Sequence, residues 1–482
     1  MKVLMLGWEF PPHISGGLGT ACHGLTSGLA QQGVEVTFVL PRRHGDEAAS
    51  HLRLVGCNEI ALPDSAAAAP ASAHASAALA DPLRRRLLAQ ASRSLRLSSE
   101  PTLLSAYMSA SEYRARWRES SARSGGSADL VWQELWTSLL ALPDLAPSAG
   151  ALARNLGCGD SMHLSGHYGP DLMLEVGRYA AAVAAMAQSE PFDLIHAHDW
   201  MTYPAGLVAA ALTGRPLVAH VHASEFDRSG DTQDERIREL ERVGLCAASR
   251  VICVSHYTAG IVARSYGVPA ARLRVAHNAV AQRVDEGLPR EKAIDEPIVL
   301  FLGRVTFQKG PDYFVEAAAR VAQVHPRVKF VMVGNGDMWA QMVERAARLG
   351  LARNFHFTGF LRGAEVDRIY RMADVFVMPS VSEPFGISPL EAIARGVPVI
   401  VSRQSGVSEV LQNALKADFW DVQDLADKML ALLRHAALRE ELLEGGRGEI
   451  RGMRWEQTAA RVRSIYDEVL SIAPPRRGEA AA

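Results

Sequence analysis

No uninterrupted apolar run in this chain of 482 residues reaches the ~20 residues that a membrane-spanning helix needs, so no membrane span is expected. Cysteine is scarce: five residues, Cys22, Cys57, Cys158, Cys246 and Cys253, are scattered without close paired spacing. This suits a reducing compartment without a disulfide framework, with most of the five acting as small apolar fillers. Charge of one sign is also missing. Lys and Arg number 51 against 53 Asp and Glu, a net charge of −2, which supplies no global positive field to gather nucleic acid or an anionic membrane. A GxSxG elbow is absent, which removes the best-marked route to nucleophilic hydrolysis. The opening MKVLML runs into Gly7, Trp8 and Glu9 instead of a signal-peptide cleavage region, so a cytoplasmic location is expected.

What is present is α/β alternation on a length that calls for two cores. KVLMLGW reads as a short buried strand. After the loop PPHISGG, Leu18, Cys22, Leu25 and Leu29 recur at helical spacing until Gly33, and VEVTFVL reads as the next strand. This βαβ opening predicts parallel strands with a right-handed crossover. Residues from about 61 to 150 read as a surface insertion, most biased in the Ala-, Ser- and Arg-rich stretch 61–127. Alternation resumes at DLIHAH, PLVAHVH, RVICVS and LRVAHN, giving a first domain over 1–285. The charged stretch 281–296, interrupted by Pro289, reads as a linker. A second series over 296–455 follows, with strands at IVLFLG, VKFVMVG, NFHFTG, VFVMP and VPVIV, all apolar enough to be covered on both faces. A last helix over 456–472 carries Ala459, Val462, Tyr466 and Val469 on one stripe, and the tail beyond Ala473 reads as disordered.

Ligands of open parallel sheets bind beyond the carboxyl ends of strands, so the polar residues there are the candidates. Gly16, Gly17 and Gly19 open the first helix and would let backbone approach a phosphate, or simply make a tight turn. His196, His198 and Asp199 end one strand and His220 and His222 the next; each histidine could equally be a hydrogen-bonded core residue. In GRVTFQKG, Arg304 and Lys309 flank a helix start, where fixed cations would neutralise a leaving diphosphate. Gly334, Asn335 and Gly336 form another close-approach turn, and Phe360 could stack on a base. SEPFGISPLEAIARG places Glu383 and Glu391 about Gly386, Ile387 and Ser388, which suits a diphosphate with a polyol on each side. Ser388, Pro389 and Glu391 also spell a capping box, which needs no ligand. A metal was weighed at Cys158, His163 and His167, which lack a fourth partner, and at His196 and His198, which lie on a strand; no metal is expected.

Taken in order, GWEFPPHISGGLGT, HAHDW, GRVTFQKG, VGNGD and SEPFGISPLEAIARG resemble the retaining GT-B glycosyltransferases. The likeness is to the glycogen and starch synthase-like members and the family-four enzymes, and it covers nearly the whole chain outside the insertion. It implies an α/β fold of two Rossmann-like domains facing a cleft, with the C-terminal helix returning to the first domain. The implied reaction moves a hexose, glucose in the synthases, from a nucleotide diphosphate sugar to a carbohydrate acceptor such as an α-glucan, with no cofactor and no divalent metal. The resemblance places the diphosphate near Arg304 and Lys309, with Gly16 and Gly17 closing from the other domain. Gly334, Asn335, Phe360, Gly386, Ile387 and Ser388 fall on the donor side. Glu383 would hold the donor sugar, Glu391 the ribose, and His198 would lie against the transferred sugar. Glu9, His222 and Glu225 fall on the acceptor side, the last two in the loop HASEFDRSG, which also reads as a self-paired turn. Ile14 stands where ADP-glucose-type synthases carry lysine, and Asn278 receives no role. The alternatives are a family-four enzyme making a disaccharide or surface polysaccharide, and a nucleotide-sugar epimerase of the same architecture.

Overall fold

Among the described residues, runs of Val, Ile, Leu and Phe stopped by glycine or a polar residue form thirteen strands in two parallel sheets. The computed structural model describes residues 1–13, 16–60, 164–169, 172–230, 232–280, 292 and 294–472. The expected insertion up to residue 163, most of the linker, and the tail from residue 473 lie outside these.

The first sheet has the order β3-β2-β1-β4-β5-β6-β7. Its strands are β1 Lys2–Leu6, β2 Glu35–Leu40, β3 Arg53–Gly56, β4 Leu194–His198, β5 Leu217–Val221, β6 Arg250–Cys253 and β7 Leu273–Val275. The second has the order β10-β9-β8-β11-β12-β13. It is built from β8 Ile298–Leu302, β9 Lys329–Val333, β10 Phe355–Gly359, β11 Val375–Met378, β12 Val399–Ser402 and β13 Leu415–Ala417. Every residue of β4, β5, β11 and β12 is buried. Helices cover both faces of a parallel sheet, so its central strands carry continuous apolar runs instead of alternating ones.

Strand order reverses between β1 and β4 in one sheet and between β8 and β11 in the other. Such switch points leave a crevice at the carboxyl edge, because the helices on either side run away from it in opposite directions. The segments that follow these four strands begin at Gly7, Asp199, Gly303 and Pro379.

The C-terminal helix Trp455–Ile472 packs on the helix Gly17–Gln31. Glycine makes this approach possible, since a Cβ on Gly24 would lie 2.3 Å from the Trp455 ring and one on Gly28 would lie 2.7 Å from the Trp455 carbonyl. Arg250 and Arg274 both pair with Glu468 and tie the helix to the sheet edge.

Four points depart from the sequence reading. The short edge strands β3 and β13 were not anticipated, nor were the helices Val422–Arg434 and Ala436–Arg451 between β13 and the last helix. HASEFDRSG contains a short helix, Glu225–Ser229, not a loop. Glu391 does not close a capping box on Ser388: the helix Ser388–Ala394 is capped at Ile387 without a side-chain bond. The Glu391 carboxylate instead accepts a hydrogen bond from the Tyr370 hydroxyl at 3.2 Å.

Candidate active site

The carboxyl edges of the two sheets face each other across a cavity of about 340 Å³. Glu9, Gly16, Gly17, Tyr168, Asp199, His222 and Asn278 line it from the first sheet's side. Arg304, Lys309, Gly334, Asn335, Phe360, Glu383, Gly386, Ile387, Ser388 and Glu391 line it from the second.

On the second side, the turn after β8 and the loop after β11 are fastened together. Val381 N donates to Gln308 O at 2.9 Å, and Arg304 Nη2 donates to Gln308 Oε1 at 3.2 Å. The turn Phe307–Lys309 thereby carries Lys309 to Glu383, where Nζ and Oε2 are 2.5 Å apart. Ser380 Oγ donates to the same carboxylate oxygen at 3.3 Å, and Glu383 is 6% exposed. A charge-assisted pair this buried needs further polar partners to offset desolvation, and a polar ligand in the cavity would supply them. Two glycines let the backbone crowd here. Gly334 has φ +128°, and a Cβ on it would lie 1.9 Å from the Gly303 carbonyl oxygen; Gly386 has φ +100° beside Glu383. Burial raises the pKa of Glu391, opposed by Arg395 and the Tyr370 hydroxyl. Phe360 is 50% exposed at the cavity rim with the Arg362 guanidinium 5.2 Å from its centroid.

The first side is floored by four histidines, His196 and His198 of β4, His220 of β5 and His222 just after it. His196 and His198 stack with centroids 4.3 Å apart, as do His220 and His222. Tyr466 of the C-terminal helix meets His196 Nδ1 at 2.5 Å, His196 Nε2 meets His220 Nδ1 at 3.2 Å, and His198 Nδ1 meets His222 Nε2 at 2.8 Å. Burial pushes the pKa of His196 and of His222 down to about 3 and lowers His198 and His220 in the same direction. All four rings are therefore neutral at physiological pH, and His222 presents a polar uncharged group to the cavity. Asp199 holds this edge in place from a left-handed conformation, φ +57°, that few non-glycine residues adopt. Its Oδ1 accepts from His222 N at 2.7 Å and Ala223 N at 3.3 Å. Burial raises its pKa to about 6, with Arg228 and these two N–H groups opposing the rise.

Ligand atoms lie within 4.8 Å of one another in Cys22–His198–His222, in His196–His198–His220 and in His13–Asp46–Glu47. The interplanar angles among His196, His198 and His220 are only 17° to 31°. His196 Nε2 and His220 Nδ1 already meet in a hydrogen bond, so these two nitrogens are directed at each other and not at a shared ion. Burial also raises the Cys22 pKa, which disfavours the thiolate a metal would need.

The family described as Glycosyl transferases group 1 matches residues 286–449. Glycosyltransferase Family 4 matches 145–283, and the starch synthase catalytic domain matches 2–66. An uncharacterized glycosyltransferase of Methanocaldococcus jannaschii is 33% identical over 238 residues, 46% of this chain and 61% of that relative's length. The D-inositol 3-phosphate glycosyltransferase of Acidothermus cellulolyticus is 30% identical over 319 residues, 61% of this chain and 71% of the relative. The chain belongs to the group 1, family-four glycosyltransferases. The glycogen synthase of Mycobacterium tuberculosis is 23% identical to this glycosyltransferase, over 97% of the chain and 94% of the relative. Among solved structures, sucrose-phosphate synthase from Thermosynechococcus elongatus aligns with TM-score 0.64 at 17% identity, covering 98% of this chain and 99% of that one. HepE of Anabaena, solved with UDP-glucose, aligns with TM-score 0.54 at 20% identity, covering 61% of this chain and 84% of that one. The architecture is the GT-B fold.

Within this glycosyltransferase, two of the residues to which the resemblance gives a role, His198 and Glu225, are not among those lining the cavity. His198 is fully buried, and His222, also singled out from the sequence, is the histidine of this layer that lines the cavity. Glu225 is 3% exposed and turned inward. Its carboxylate accepts from Ser229 Oγ at 2.6 Å and Asp234 N at 3.1 Å, and it lies 3.6 Å from Arg228. Asn278, given no role from the sequence, lines the cavity and is 8% exposed. Tyr168 was missed entirely; its hydroxyl donates to Glu9, and the segment around it carries no periodicity that would flag it.

Proposed function

We propose that this glycosyltransferase is a retaining hexosyltransferase that moves glucose from a nucleoside diphosphate sugar to an α-glucan. The observation that carries this reading is the Lys309–Glu383 pair in a cleft lined from both sheets. The bond from the sugar C1 to the diphosphate oxygen breaks, and its electron pair leaves with the diphosphate. Lys309 and Arg304 offset the developing charge. The acceptor hydroxyl attacks on the same face of the sugar, and its proton passes to the departing phosphate oxygen. Glu383 holds the donor sugar's hydroxyls and Glu391 the ribose, while neutral His222 serves as a hydrogen-bonding partner for the transferred sugar. Phe360 and Arg362 at the rim offer a face for the base.

The glucan acceptor is supported by the end-to-end match to a glycogen synthase. A phosphorylated polyol acceptor is the second reading, favoured by the higher identity to D-inositol 3-phosphate glycosyltransferases. Among the described residues no helix is long and apolar enough to cross a membrane. The test is a panel of UDP-glucose and ADP-glucose against glycogen and D-inositol 3-phosphate in the presence of EDTA, with the product's anomeric configuration read by NMR. An α-linked glucosyl product on glycogen is expected. A β-linked product overturns retention, and transfer to inositol phosphate alone selects the second reading.

A further inference from the structure

The short helix Glu225–Ser229 has a bland explanation: it is capped by its own sequence. Asp227 Oδ2 accepts from Ser224 N at 2.8 Å and from Ser224 Oγ at 2.7 Å, as the third helical residue of a capping box does. A cap uses one carboxylate oxygen. The other, Oδ1, crosses the cleft and accepts a 2.5 Å hydrogen bond from Ser382 Oγ, the residue before Glu383. On the other side of Glu383, the carbonyl oxygen of Pro384 accepts from Ser255 Oγ at 2.6 Å and from Thr258 Oγ1 at 3.1 Å. Both of those donors belong to the first sheet's side. Glu383 is therefore held between two attachments to the opposite half of the molecule.

The cap end of Asp227 is equally well placed. Ser224 follows His222 and Ala223, both of which line the cavity, and Arg228 Nη2 donates to Ala223 O at 2.6 Å. The same helix ends at Gly230, φ +54°, where a Cβ would lie 3.1 Å from the ring of Phe307, the first residue of the turn that carries Lys309. Asp227 is 1% exposed, so neither of its bonds competes with bulk water.

We propose that Asp227 is a positioning residue that couples the His222 edge to the Glu383 loop through Ser382. Its carboxylate joins the His222 edge to the residue before Glu383, beside the attachment of Pro384 to Ser255 and Thr258. The proposal rests on Glu383 acting in transfer, and the experiment separates the two ideas. Ser382→Ala removes the bond across the cleft to Asp227, together with the 3.0 Å contact of the same Ser382 oxygen with the Tyr257 hydroxyl, and leaves the helix cap whole. Asp227→Asn weakens both, because it removes the charge shared by the bonds to Ser224 N, Ser224 Oγ and Ser382 Oγ and makes Ser382 Oγ accept from an amide instead of donating to a carboxylate.

The full chain carrying Ser382→Ala, Asp227→Asn, both changes, or Glu383→Ala would be assayed for kcat, for KM and for hydrogen exchange over 381–388. Each single variant is expected to lose about tenfold in kcat with KM changed less than about threefold, and the double variant to be no slower than the slower single. Faster exchange across 381–388 is expected in both singles, a readout that does not need turnover. A wild-type kcat in Ser382→Ala, a double variant whose loss is the product of the singles, or unchanged exchange would overturn the coupling. Wild-type turnover in Glu383→Ala would instead remove Glu383 from the reaction while the exchange result still judges the clasp.

Discussion

Lys309 and Glu383 are bound to each other at the cleft wall, so each fixes the other's position. Lys309→Ala and Glu383→Ala are each expected to lower kcat by tenfold or more, the loss of at least ~1.4 kcal/mol of transition-state stabilisation, measured by nucleoside diphosphate release. The histidines make a separate prediction about stability. Their folded pKa values lie below the ordinary 6.5, at about 3 for His196 and His222. Their contribution is thus present above pH 6.5 and lost as pH falls, because the unfolded chain takes up protons that the fold refuses. Buried carboxylates work the other way: burial raises the folded pKa of Asp199 to about 6 and of Glu241 to about 8, and raises Asp227, Asp312 and Glu391 as well. The histidine effect is therefore read by difference: in urea melts between about pH 6 and 4, His196→Asn should lower the pH slope of stability relative to the wild type by about 1.4 kcal/mol per pH unit. An unchanged slope would mean that His196 is already protonated in the fold. The sequence exposed the cations, the carboxylates and the strand-end histidines because a polar residue directly after an apolar run is conspicuous. It hid Asp199's left-handed turn and the inward orientation of Glu225, since neither backbone sign nor side-chain direction follows from residue type.

The elements most visible beforehand were the central strands, whose burial on both faces leaves an unbroken apolar record. Edge strands β3 and β13 are three or four residues long with only partly buried faces, and no such record exists for them. Glycine spacing proved informative in a different way. Gly24 and Gly28 lie one turn apart on the helix Gly17–Gln31 and admit Trp455 and Ala459 of the C-terminal helix. Gly24→Leu should cost about 1–3 kcal/mol by overpacking and loosen that helix, detectable as a lower urea midpoint and faster exchange over 455–472. Gly334→Ala places a Cβ against a backbone carbonyl at positive φ, where no rotamer offers relief. It should cost at least ~2 kcal/mol by the same measurement. A neutral result at either glycine would contradict the close approaches described.

At the scale of the whole molecule, two sheets with reversed strand order set two switch points face to face, and the pairs and turns at both edges converge on one cavity. The order of five short motifs along the chain pointed to that architecture before any contact was known. The insertion and the linker left no comparable signal, since their composition specifies neither a face nor a period. This cleft transfers a sugar from a nucleotide donor to an acceptor. The most direct test is nucleoside diphosphate release from UDP-glucose or ADP-glucose, measured with and without glycogen or D-inositol 3-phosphate. Release that rises with an added acceptor and falls at least tenfold in Lys309→Ala is the predicted result. Release indifferent to every acceptor, or conversion of the donor to an epimer with its diphosphate still attached, would contradict it.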